Sequence, residues 1–122
     1  MTLEQCYLAV GGDYADVLAH LRKEERIRKF LLRFPEDPSY AHLCQAMESR
    51  QYDEAFRAAH TIKGLCQNLG LGRLYQSASR LTEALRAGTA PEDGALFKRV
   101  QEDYASTIAA IGKLEEGGSQ AR

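Results

Sequence analysis

Several absences narrow the reading of this sequence. Cysteine occurs three times, as Cys6, Cys44 and Cys66. The number is odd, the gaps are wide and there is no Cys-x-x-Cys, which argues against a disulfide framework or a zinc site. An excess of charge of one sign is also lacking: 17 acids meet 16 bases. So balanced a chain has no long-range field to gather nucleic acid or an acidic membrane surface. No apolar run approaches the ~20 residues of a membrane span. The opening MTLEQCYLAVGGDY has no basic stretch followed by a long apolar one, so it does not read as a signal peptide. A cytoplasmic, complete chain is expected. There is no GxxxxGK followed by Ser or Thr and no glycine-rich kinase box, hence no visible ATP site. An obvious receiver or DNA-binding domain is missing too. The inward-facing Glu-x-x-His pairs of di-iron bundles do not occur. No metal and no cofactor is expected.

Strand-like alternation is also absent, and what remains is helical. Hydrophobic residues make up 44% of 122 positions, enough for the core of one domain. Leu3, Cys6, Tyr7 and Val10 recur at helical spacing until Gly11 and Gly12 stop them. Asp13 is placed to cap a second short helix carrying Tyr14, Val17, Leu18 and Leu21. Ile27, Phe30, Leu31 and Phe34 predict a buried stripe, broken by Pro35 and Pro38. A further helix begins near Pro38 or Ser39 with Leu43, Cys44 and Met47. After the central helix come Leu74, Ala78, Leu81 and Leu85, then the loop TAPEDG. Leu96, Val100, Tyr104, Ile108 and Ile111 define one last long helix. Amphipathic helices with short joints predict an all-α, antiparallel bundle with extra short helices at the N-terminus. The bundle domain is assigned to residues 1–115 and a flexible tail to 116–122.

The chain is organised around Tyr52 to Leu71, YDEAFRAAHTIKGLCQNLGL. With about 100° of turn per residue, Ala55, Ala58, Ala59, Ile62, Leu65, Cys66 and Leu69 form one apolar stripe. His60, Lys63, Gly64 and Gln67 share the opposite face as neighbours, with Phe56 one turn earlier. Asp53 and Glu54 occupy the first turn, the favourable end for acids, and Gly70 fits a left-handed stop. Gly64 sits mid-helix, where glycine costs about 1 kcal/mol relative to alanine. Close approach of another surface is one reason to keep it there. An imidazole that is neutral near pH 7 can take a phosphoryl group on a ring nitrogen. Such transfer needs positioning and neutralised charge, and Lys63 lies one turn away to supply the second.

The string HTIKGLCQNLGL resembles the signature of histidine-containing phosphotransfer (HPt) domains of bacterial two-component phosphorelays, at His60, Ile62, Lys63, Gly64, Leu69 and Gly70. RLYQSASRLTEALR is similar to the family's following helix. The resemblance implies a four-helix bundle, with His60 as phosphoacceptor, Lys63 as basic helper and Gly64 giving access. It implies a carrier and not an enzyme. The implied partners are a response-regulator receiver domain, which brings the aspartate and Mg²⁺, and a hybrid sensor histidine kinase. A monomer is expected, with no nucleic acid and no membrane as partners. Leu65 and Gln67 depart from the small residues common at those places. Leu65 is expected in the core. Gln67 is expected on the docking face, either bonding the phosphoryl group or narrowing the choice of partner. Phe56 is expected to anchor the partner. Counting back through the turn at Gly70 sets Thr82 opposite His60, with Ser79 and Arg86 a turn to either side. Thr82 is expected to orient the imidazole through its hydroxyl, and Arg86 to add positive charge. A non-catalytic helical interaction domain with an incidental surface histidine is the competing reading.

Overall fold

The computed structural model describes the backbone of residues 1–120 and the side chains of residues 1–114. Its elements are α1 (Leu3–Ala9), α2 (Tyr14–Leu21), α3 (Glu24–Arg33), a 3-10 turn (Phe34–Glu36), α4 (Ser39–Glu48), α5 (Tyr52–Leu69), α6 (Gly72–Leu85) and α7 (Ala95–Gln120). The fold is all-helical among the described residues. Helices α4, α5, α6 and α7 form the bundle in sequential antiparallel order, and α1 and α3 pack against α7. The tail assigned to 116–122 falls outside the described side chains.

Local chemistry sets the helix ends. Thr2 and Gln5 form a reciprocal capping box, with bonds of 3.1 and 2.9 Å. The Asp13 carboxylate accepts the Asp16 amide at 3.1 Å and starts α2, as its position predicts. Pro35 and Pro38 sit on either side of the break between α3 and α4. Gly70 ends α5 at φ 69°, a left-handed conformation in which glycine pays no Cβ penalty.

The core is aliphatic. Ile62, Leu71, Leu74, Leu81, Leu85, Ile111 and Leu114 are almost fully buried. Each such side chain contributes about 1.5–3 kcal/mol relative to exposure. On α5 the predicted stripe is buried, except that Leu65 is only half-buried at its edge.

Two stripes differ from their sequence reading. Phe30 stays 38% exposed at the margin of α3, because Ile27, Leu31 and Phe34 already fill the contact. On α7 the buried line runs through Val100, Asp103, Thr107, Ala110, Ile111 and Leu114, while Leu96, Tyr104 and Ile108 are half-buried. Two polar residues thus lie on the inward face. The Thr107 hydroxyl donates to the Asp103 carbonyl at 2.8 Å, and the Asp103 carboxylate meets Arg99 at 3.4 Å. Tyr104 instead lies flat on Tyr40 of α4, with ring centroids 3.6 Å apart.

A glycine clasp fastens the N-terminal helices to the end of α5. The Tyr7 hydroxyl donates to the Leu69 carbonyl at 2.6 Å. Arg73 donates its amide to Val10 at 3.0 Å and its guanidinium to Ala9 at 2.9 Å. Backbone meets backbone closely there: a Cβ on Gly12 would overlap the Gly70 carbonyl oxygen, and one on Gly72 the Gly11 carbonyl oxygen.

Candidate functional site

The outward face of α5 carries the candidate site, and its residues divide by exposure. His60, Gly64 and Gln67 are exposed, and Lys63 and Phe56 are half-buried. The inward stripe of small residues, Ala55, Ala58 and Ala59, seats α5 close to its neighbours and leaves this face to solvent. Among the described residues no hydrogen bond or ion pair holds the His60 ring. A Cβ built on Gly64 meets no atom within 4 Å, so the backbone there stands open.

Phe56 does two things. It packs against the core, and it stacks beside His60 with centroids 6.1 Å apart and planes 14° from parallel. Its position limits the directions in which the imidazole can turn. On its other contact, the Arg86 guanidinium sits 5.4 Å from the Phe56 centroid, within cation–π range. Guanidinium, phenyl and imidazole thus form a continuous chain of contacts between α6 and α5.

Arg86 is held from α6 itself. Its two nitrogens reach the Glu83 carboxylate at 2.7 and 3.2 Å. The hydrogen bond from Arg86, then the charge of Arg86, hold the Glu83 carboxyl below the usual carboxylate range, and the Lys63 ammonium adds to this more weakly. The same fork pushes the Arg86 guanidinium up. Glu83 therefore belongs to the electrostatics of the patch, although sequence reasoning did not select it. The available signal was the Glu-x-x-Arg spacing on the helix that returns past His60.

Thr82 requires a correction. It is fully buried, and its hydroxyl donates to the Ala78 carbonyl at 2.7 Å. It presents nothing to the imidazole or to a partner. Ser79, half-buried, is spent in the same way on Tyr75 at 2.7 Å. The height along α6 was right, since Phe56 and Arg86 do meet across the same antiparallel register. The rotation was not: Thr82 points into the core, and Glu83, about 100° around the helix, takes the outward place.

Beyond Gln67 the patch borders α2. Asp16, Val17 and His20 line a small hollow with Gln67 and Asn68. Next to it lies an apolar groove of about 470 Å³, lined by Leu21, Phe30, Phe34, Leu65 and Leu69 among others. His20 therefore stands near the face, while His42 lies in a polar groove between α4 and α5.

Cys66 lies behind the patch in the core, and burial pushes its thiol up to about 12. Among the described residues no group of three or more His, Cys, Asp and Glu is arranged to hold a metal ion. No described helix is long and apolar enough to cross a membrane. Chemically, the arrangement offers an accessible imidazole, the cations Lys63 and Arg86 on its α6 side, Arg57 paired with Glu54 on its α4 side and, among the described residues, no acid–base partner hydrogen-bonded to the ring.

Residues 27–110, well over half of the chain, match the family model described as Hpt domain. Neither the curated proteins nor the solved structures contain a match.

Proposed function

Since this chain belongs to the Hpt domain family, a family of phosphoryl carriers in phosphorelays, we propose that His60 accepts a phosphoryl group from one receiver-domain aspartate and donates it to another. The observation that carries this reading is the exposed His60 ring beside Lys63 and the open Gly64 backbone, inside the matched span. Family members interact with receiver and kinase domains and act as carriers rather than catalysts.

In the accepting step the lone pair of an unprotonated ring nitrogen of His60 attacks phosphorus. The new N–P bond forms as the P–O bond of the aspartyl phosphate breaks, and the carboxylate leaves with the electron pair. The other ring nitrogen keeps its proton. Donation is the reverse with a second carboxylate. Lys63 supplies positive charge to the phosphoryl oxygens, where electrostatic stabilisation dominates such transfers. Gly64 lets the receiver's reacting aspartate come close. Phe56 keeps the ring oriented, and Gln67 lies on the surface the receiver covers.

The test uses a receiver domain labelled with radioactive phosphate. Wild-type protein is expected to take up label that is lost in acid and kept in base, and His60→Gln is expected to take up none. Equal labelling of His60→Gln and wild type would overturn the assignment in favour of a helical interaction domain with an incidental histidine.

A further inference from the structure

The charge around His60 is not all positive. On the α6 side of His60 two cations, Lys63 and Arg86, share the patch with one carboxylate, Glu83; on the α4 side Arg57, three residues before His60, is already paired with Glu54. The Glu83 carboxylate grips Arg86 through two hydrogen bonds, at 2.7 and 3.2 Å. Arg86 in turn lies over Phe56, and Phe56 stacks on His60. Both members of the ion pair are solvent-exposed, with side chains 59% and 62% accessible. Pairs this exposed are screened and exchange partners easily. A phosphoryl group on His60 brings a second, more highly charged acceptor to the same two cations, with oxygens that suit a guanidinium fork.

Building on the assignment of His60 as phosphoacceptor, we propose that Glu83 is the resident counterion of the patch. It holds Arg86 while His60 is bare and releases it when the phosphoryl group arrives. It then remains as a fixed negative charge that favours departure of that group. Lys63 and Arg86 lower the energy of the phosphorylated state, and Glu83 raises it. A carrier needs such a balance, because it must release as readily as it accepts. Glu83 is in this sense a positioning residue: it acts through Arg86 and through its field, not by touching phosphorus.

The scale follows from Coulomb's law. One carboxylate on a helix packed roughly 8–10 Å away, acting on a phosphoryl dianion through high dielectric, shifts an equilibrium by about two- to fivefold at low salt. Screening at 1 M salt, where the Debye length is about 3 Å, removes most of that shift.

The experiment needs no protein partner. Phosphoramidate phosphorylates the full chain, its P–N bond breaking with release of ammonia as the His60 N–P bond forms. Phosphorus NMR reads the ratio of phosphohistidine to histidine at a fixed ratio of phosphoramidate to ammonia. Glu83→Gln is expected to raise that ratio about two- to fivefold at low salt, and 1 M salt is expected to abolish the difference. Arg86→Gln is expected to lower it, and Glu83→Asp to restore the wild-type value. Normal labelling with an unchanged ratio in Glu83→Gln would overturn this proposal alone. A shift that persists at 1 M salt would do the same, since it would not be electrostatic. Failure of wild-type His60 to take label at all would overturn both this proposal and the phosphocarrier reading beneath it.

Discussion

In the proposed carrier Gly64 sets stability against access, and a single methyl group separates the two. In the free chain a Cβ at this position meets nothing within 4 Å. Position 64 lies well inside α5, twelve residues from its start and five from its end. Replacing glycine by alanine in a helix interior gains about 0.5–1 kcal/mol. For a domain of this length that raises the melting temperature by about 2–6 °C. Phosphotransfer is expected to move the other way. The added methyl projects from the surface on which the proposed function places the receiver, and a displacement of about 1 Å in a reacting geometry costs roughly a hundredfold. Gly64→Ala should therefore melt higher while its second-order rate of uptake from a phosphorylated receiver falls about ten- to hundredfold. Gly64→Gln keeps most of the helix gain and adds bulk, so its uptake should fall further. Thermal melts followed by circular dichroism and a labelled-transfer time course read the two effects separately. A more stable Gly64→Ala that transfers at the wild-type rate would refute the argument, because the glycine would then serve no approaching partner. A less stable one would refute the open-backbone premise.

Other predictions address the fold and the corrected residue. Gly12→Ala forces a Cβ into the Gly70 carbonyl oxygen and the Tyr7 ring. It should cost about 1–3 kcal/mol in urea unfolding, whereas Gly94→Ala, with nothing within 4 Å, should cost less than 0.5, as is usual for surface changes (about ±0.5 kcal/mol). Thr82→Val keeps the buried shape and loses a hydroxyl already committed to Ala78, so phosphoryl uptake should be unchanged. A large drop in uptake would restore Thr82 to the site. Burial raises the Cys66 thiol from 9.0 to about 12. Because the folded value lies above the unfolded one, this contribution to stability is complete below pH 9 and is lost as pH climbs toward about 12. Wild type should lose up to about 1.4 kcal/mol per pH unit more than Cys66→Ala over that window, read from urea midpoints at several pH values. Parallel losses would show that the thiol titrates alike in the folded and unfolded states, and would refute the burial effect.

What the sequence made legible depended on how many elements a feature needs. His60, Lys63, Gly64 and Gln67 lie on one helix, so residue spacing alone determines their neighbourhood. The helices themselves were readable from apolar periodicity and from stops such as Gly70 and Pro35. Features shared by two helices were readable only in part. Counting through a short turn gives the height of a residue on the returning helix but not its rotation. That is why Arg86 stands at the expected height, Thr82 was wrongly turned outward and Glu83 was missed. On α7 the apolar repeat does not mark Asp103 and Thr107, because polar residues fall outside such a pattern, yet both are buried and bonded locally. The clasp of Tyr7, Gly12, Gly70 and Arg73 joins segments some sixty residues apart, and no local pattern announces such a contact.

That clasp also bears on function. The span matching the family model begins at residue 27, so α1 and α2 lie outside it. Yet α1 and its cap are bonded to the last carbonyl of α5 and to the first turn of α6, and Val17 of α2 lies against Gly70 at the end of α5. A carrier with no acid–base group of its own depends on offering its imidazole in one fixed place, since the visiting aspartate must reach phosphorus in line. A helix surface holds side chains more firmly than a loop does, provided the helix cannot shift along its neighbours. The Tyr7–Leu69 bond and the glycine contacts oppose such a shift at the C-terminal end of α5. On the proposed reading the N-terminal helices contribute to the site without lending it a reacting group, by fixing the height at which His60 stands.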